Sequence, residues 1–185
     1  TVSANLAAAN TLTLADSGAG YTLSGVTDNR VTIGADAATD GTTAVTLGNE
    51  NDVVTGTAGA DSVTMVTNTA SHNDSVSLGA GNDTFTAANI ITATDTIAGG
   101  AGTDTLTTAD GVDATDAAWA LVTGFEEVTL LTDTTNNAIS VTFTDTFIGN
   151  QDNDSVTLNV TAAIDAVTVS ANLAAANTLT LADSG

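Results

Sequence analysis

The sequence predicts an all-β fold, a parallel β-solenoid with coils of about 21 residues and one short helix near 113–123. Three observations carry that prediction. Asp-x-apolar triplets recur in phase, short apolar segments alternate with Thr or Ser, and the composition suits thin layers better than a thick core. Hydrophobic residues make up 42 % of the 185 and aromatics only 3 %, with Ala, Val, Leu and Thr supplying the bulk. A narrow core of many similar layers needs only a few β-branched or Leu side chains in each.

The triplets come in pairs nine residues apart: Asp52-Val53-Val54 with Asp61-Ser62-Val63, Asp74-Ser75-Val76 with Asp83-Thr84-Phe85, Asp95-Thr96-Ile97 with Asp104-Thr105-Leu106, and Asp145-Thr146-Phe147 with Asp154-Ser155-Val156. The first members step by 22 and then 21 residues from Asp52 through Asp74 to Asp95. The second members do the same from Asp61 through Asp83 to Asp104. Two rows of Asp therefore stack on opposite halves of each coil. Between them, TLTL (11–14), VTI (31–33), VTL (45–47), SVTM (62–65), VSL (76–78), SVTFT (140–144) and SVTLNV (155–160) read as strands with apolar side chains inward and hydroxyls outward. One stretch breaks step. DATDAAWALVT at 113–123 carries helix-forming Ala and Leu, with Asp113 or Thr115 as N-cap and Gly124 as the stop, and Trp119 packs from it onto the coil.

A longer repeat lies over the short one. Residues 1–18 and 168–185 both read TVSANLAAANTLTLADSG, a period of 167 residues. Eighteen identical positions indicate tandem copies, so 1–167 is expected to be one unit of a continuous β-solenoid and 168–185 the start of the next, identical unit. With no starting Met and no signal peptide, the chain reads as an interior piece of a longer one. The solenoid is expected to run unbroken across the junction.

Charge narrows the partners. Against 22 acidic side chains stands one basic residue, Arg30, for a net charge of −21. Nucleic acid and anionic membrane surfaces are excluded, and divalent cations are favoured. No apolar run is long enough to span a bilayer, so no direct membrane insertion is expected. There is no cysteine to staple the fold.

Residues 99–107, GGAGTDTLT, fit the nonapeptide Gly-Gly-x-Gly-x-Asp-x-apolar-x at every fixed position. LGAGNDTFT at 78–86 lacks only the first Gly and GTAGADSVT at 56–64 only the second, while LGNENDVV (47–54) and IGNQDNDSV (148–156) are more degenerate. On these motifs the chain resembles the RTX (repeats-in-toxin) family, and more closely the surface-layer proteins and giant adhesins of Gram-negative bacteria. GFEEVTLL at 124–131 looks like their linker strands. The resemblance implies a β-roll, Ca2+ as the bound ion and secretion to the cell surface. It further implies that Asp61, Asp83 and Asp104 form one ligand row, with Gly79, Gly81, Gly100 and Gly102 supplying the bend or carbonyl oxygens. Asp52, Asp74 and Asp95 form the opposite row, whose turns lack these glycines, and Asp154 belongs to the last degenerate motif.

The residue types make chemical sense. Gly tolerates φ > 0, so a tight turn can aim its carbonyls inward, and Asp then adds a carboxylate from the turn's exit. Like charges one strand spacing apart repel by about 1 kcal/mol even in water, which couples folding to ion binding. Asp, Asn and Gly are also ordinary turn formers. That alternative explains the residue types but not the phased spacing.

These features lead to the expectation of a structural extracellular protein: a calcium-stabilised repeat unit of a surface or biofilm-matrix fibre, a surface layer or an adhesin stalk, and not an enzyme. Its partners would be its own tandem units and neighbouring fibres, with cell-surface polysaccharide as a further candidate. His72, the only histidine, reads as a turn residue, with no nucleophile motif beside it. The alternative is a binding module with an ice- or carbohydrate-binding face. Thr-x-Thr pairs at Thr11/Thr13, Thr84/Thr86, Thr105/Thr107 and Thr142/Thr144 suggest it, although along the sequence they do not recur in every coil.

Overall fold

The computed structural model describes residues 11–14, 21–23, 30–33, 43–47, 51–65, 73–87, 91–108, 119–130, 139–151, 154–160 and 167–183. In chain order the strands are β1 (Thr11–Leu14), β2 (Tyr21–Leu23), β3 (Arg30–Ile33), β4 (Thr43–Leu47), β5 (Val53–Thr55), β6 (Ser62–Met65), β7 (Ser75–Ala80) and β8 (Thr84–Ala87). They continue with β9 (Thr96–Ala101), β10 (Thr105–Thr108), β11 (Val122–Thr123), β12 (Glu127–Leu130) and β13 (Ile139–Thr144), then the helix α1 (Asp145–Gly149), and finally β14 (Ser155–Val160), β15 (Val167–Asn172) and β16 (Thr178–Asp183). Each segment expected to be a strand is one.

Alternate strands go to alternate sheets, as a solenoid requires. The odd strands from β1 to β11 form a six-stranded sheet and the even strands from β2 to β16 an eight-stranded one, while β13 and β15 pair separately. All pairs are parallel. The register repeats the Asp spacing: Val53 lies opposite Ser75 and Ser75 opposite Thr96, steps of 22 and 21 residues. Later coils are longer, since Ile97 meets Val122 and Glu127 meets Thr157.

The core is the set of inward columns this register creates. Val45, Val63, Phe85, Leu106, Val128 and Leu158 lie opposite one another up the eight-stranded sheet, and all are buried. Val54, Val76, Ile97 and Val122 form the facing column. Outward positions stack as well. Thr46, Thr64, Thr86, Thr107 and Thr129 are successive ladder partners, so one row of the Thr-x-Thr pairs is unbroken, while the other runs Ala44, Ser62, Thr84, Thr105 and Glu127.

Among the described residues the helix lies outside the expected 113–123. Trp119–Leu121 form a turn and Val122–Thr123 a strand, because Val122 supplies the inward residue opposite Ile97. Residues 113–118 lie outside the described residues. The helix is Asp145–Gly149, and it buries both Phe147 and Ile148, adjacent residues that an extended strand would send to opposite faces. Trp119 is buried against Phe143 and Phe147, with ring centroids 6.3 and 5.0 Å away. The aromatic cluster is thus part of the core, as expected of a packing tryptophan.

Candidate metal centre

Each coil turns at two edges, and each edge carries one Asp row. All six Asp of the two rows, Asp52, Asp61, Asp74, Asp83, Asp95 and Asp104, are buried. The cause is a ladder in which a carboxylate stands in for a carbonyl. At the first edge the Asp61 amide donates to Asp83 Oδ1 (2.7 Å) and the Asp83 amide to Asp104 Oδ1 (2.8 Å). The backbone returns the favour, Thr84 N donating to the Asp61 carbonyl and Thr105 N to that of Asp83. At the second edge the Asp52 amide donates to Asp74 Oδ1 (2.8 Å) and the Asp74 amide to Asp95 Oδ1 (3.0 Å). The phased spacing is therefore a chain of carboxylates, each fixed by the coil before it.

The first edge has a fourth member that sequence reasoning missed. The Asp104 amide donates to Glu126 Oε2 at 2.8 Å, and Glu127 N donates to the Asp104 carbonyl. Glu126 thus occupies the next Asp position. The signal was present, since Glu126-Glu127-Val128 is a carboxylate-x-apolar triplet 22 residues after Asp104. It was obscured because Gly124-Phe125 replaces the glycine-rich run.

Neutral groups bound this row. Thr57 donates to Asp61 from both its amide (2.6 Å) and its hydroxyl (3.1 Å to Oδ2). At the other end Gln151, which is buried, accepts from the Phe125 amide and donates to the carbonyls of Val122 and Phe147. Asp154 stands apart from the row. It is exposed, at φ 51°, with its amide donating to the Gln151 carbonyl.

The glycines shape the first edge. Gly79, Gly81, Gly100 and Gly102 have φ of 110°, 134°, 114° and 145°, all in the region that side chains disfavour. Their turns stack directly: a Cβ on Gly100 would land on the Gly79 carbonyl, and one on Gly102 on the Gly81 carbonyl. The second edge reaches the same carboxylate ladder without them. There Thr92 donates to Asp95 Oδ2 from its amide (2.8 Å) and its hydroxyl (3.0 Å).

Whether this architecture suits a cation can be tested on its leftover oxygens. Asp83 Oδ2, Asp74 Oδ2 and Glu126 Oε1 are buried atoms with no hydrogen-bond partner. Buried carboxylate oxygens of this kind are costly unless a positive charge meets them. Burial raises the Asp74 carboxyl to about 7, helped by the charges of Asp52 and Asp95 and opposed by the Asp52 amide. Burial also raises Asp83, with the Asp61 charge adding and the Asp61 amide opposing. Among the described residues no three acidic, His or Cys side chains converge on one point. A hard ion taking six to eight oxygens would therefore be completed by backbone carbonyls, which the stacked turns supply.

Residues 39–64, 70–89 and 92–117 match the family model described as RTX calcium-binding nonapeptide repeat (4 copies). The matched stretches, set in a parallel β-solenoid, fit an RTX β-roll. They contain all six buried Asp of the two rows, and calcium is the ion such repeats bind. Glu126, Gln151 and Asp154 of the solenoid lie outside them. No curated protein and no solved structure matches the chain.

Proposed function

We propose that this solenoid is a structural, non-catalytic repeat unit of an extracellular fibre, surface layer or adhesin stalk, stabilised by calcium at its carboxylate rows. The observation that carries the reading is the row at the glycine edge, where buried carboxylates are locked one above another and Asp83 keeps an oxygen without a partner. Bound calcium would neutralise that charge. Asp61, Asp83, Asp104 and Glu126, with the carbonyls of the turns through Gly79–Gly81 and Gly100–Gly102, are the residues that would hold it. Asp52, Asp74 and Asp95 are a second row of the same kind. A chain that needs millimolar calcium to order stays unfolded during export and folds outside the cell. The 167-residue sequence period supports tandem units, which gives length without new design. Among the described residues no helix is long and apolar enough to cross a membrane.

The test is circular dichroism with light scattering on a chain of two tandem units, first in EGTA and then with calcium added into the millimolar range. The reading expects a coil-to-β transition with calcium. A full β signal in EGTA would reduce the rows to turn chemistry.

A second reading has its own observation. The stacked column Thr46–Thr64–Thr86–Thr107–Thr129, flanked by Thr84–Thr105, makes a regular outward hydroxyl face of the kind an ice or polysaccharide surface could meet. Thermal hysteresis and sedimentation with insoluble polysaccharide test it. Loss of either activity in Thr86→Tyr would assign the face.

A further inference from the structure

We infer that the open edge of β16 is a docking strand for the Arg30–Ile33 strand of a following copy of this unit, so that the eight-stranded sheet of one copy runs on as the six-stranded sheet of the next. This deepens the tandem reading above and rests on it.

Thr178–Leu181 repeats Thr11–Leu14 residue for residue. The same four residues nevertheless sit in opposite sheets. In the first occurrence, β1 ends the six-stranded sheet and pairs with the coil that follows it, Thr11 opposite Arg30 and Leu14 opposite Ile33. In the second, β16 ends the eight-stranded sheet and pairs with the coil that precedes it, Ser155 opposite Thr178 and Leu158 opposite Leu181. A strand has two hydrogen-bonding edges, and each copy has one of them occupied. Together they specify both neighbours: β14 beneath and a β3 strand above.

The core agrees with this register. Phe85, Leu106, Val128, Leu158 and Leu181 are successive partners in one inward column. The first four are fully buried, whereas Leu181 is 66 % exposed. Leu179, two residues earlier, is only partly buried. Leu181 is thus a core residue with no layer above it. Its equivalent Leu14 lies opposite Ile33, which lies opposite Val54 at the foot of the buried column Val54, Val76 and Ile97. The next copy therefore places Ile33 in register with Leu181.

The unit then contains an odd number of half-coils. Successive units exchange the roles of their two sheets, and the glycine edge changes sides of the fibre at every junction. The structural period is two units. Neither side of the fibre is permanently the glycine side, so any bend or charge imbalance in one unit is offset in the next.

Cysteine pairs closed by a short bifunctional thiol reagent test this in a two-unit chain, residues 1–167 followed by 1–185, in which Thr180 is also Thr13 of the second copy. The expected result in calcium is bridging of Thr157→Cys with Thr180→Cys, and, in a separate variant, of Thr180→Cys with Thr32→Cys of the second copy. Bridging of Thr142→Cys, on β13, with Thr180→Cys in place of the first pair would overturn the inference, because the repeated strand would then lie on the other sheet. The same bridges formed equally well in EGTA would leave the junction standing while removing the calcium reading. No bridging of either expected pair in a chain with a full β signal would sink the junction.

Discussion

The two edges of the solenoid make the same ladder by different means. At each, the amide of one Asp donates to the carboxylate of the Asp one coil on, at 2.7 to 3.0 Å. Among the described residues only one edge stacks glycine turns at positive φ directly on one another. The difference separates two roles that the nonapeptide motif fuses. Phase alone places the carboxylates, whereas glycine lets successive turns stack in contact, where their oxygens would share an ion. The glycine edge should therefore be the stronger calcium binder. The opposite edge, which forms its ladder without those glycines, should be the weaker.

Backbone substitution should break this comparison hardest. Gly102→Ala puts a Cβ on the Gly81 carbonyl and forces a side-chain residue to φ 145°. The strain alone costs about 1–3 kcal/mol, and the overlap adds to it. Ala93→Val, on an exposed turn residue of the other edge, should stay within about 0.5 kcal/mol. Thermal unfolding in saturating calcium measures both.

Charge removal should sharpen it. Asp83→Asn keeps an acceptor for the Asp61 amide but removes a buried negative charge. The variant should be at least as stable as the parent in EGTA and bind calcium at least about tenfold more weakly, a loss of about 1.4 kcal/mol. Asp74→Asn should weaken the total calcium response less. Calorimetric titration of the two variants side by side gives the order, and equal losses would mean that the glycines add nothing.

Acidity should act oppositely with and without calcium. The Asp74 carboxyl in the calcium-free fold is raised from 3.8 to about 7, so the folded state holds its proton more tightly than the unfolded chain. Protonation then favours folding, and the stability of the calcium-free protein should rise as pH falls from about 7 toward 4. With calcium bound, protons compete for the same oxygens and stability should fall over that interval. The β signal by circular dichroism at pH 5 and pH 7.5 in EGTA, and urea midpoints at the same pH values in calcium, test the crossing.

The smallest expected effect is at the end of the row. Thr57→Val removes the hydroxyl donated to Asp61 and should cost about 1 kcal/mol, seen as a lower urea midpoint. Asp154→Asn, exposed and apart from the row, should leave the calcium midpoint unchanged.

The strands and both Asp rows were legible in the sequence because one residue type at one spacing serves both ladder and turn. Glu126 escaped because it is a glutamate in a turn without the glycine run, and only its 22-residue phase gives it away. The described part of the expected helix, 119–123, is turn and strand for a physical reason. The Ala-rich stretch before Gly124 has helical propensity, but pairing of Val122 with Ile97 overrides it at 122–123. The described helix was hidden in the alternation of TFTDTFIG, where only the joint burial of Phe147 and Ile148 betrays it. The sheet to which a repeated strand belongs was not legible at all, because sequence identity fixes the strand and not the number of half-coils between its copies.

The most direct test of the glycine edge as the calcium edge is residue-resolved amide hydrogen exchange during a calcium titration. The amides to follow are those of Asp61, Asp83 and Asp104 at one edge and of Asp52 and Asp74 at the other. The account predicts slow exchange at the glycine edge at lower calcium than at the opposite edge. Protection rising together at both edges, or already complete in EGTA, would contradict it.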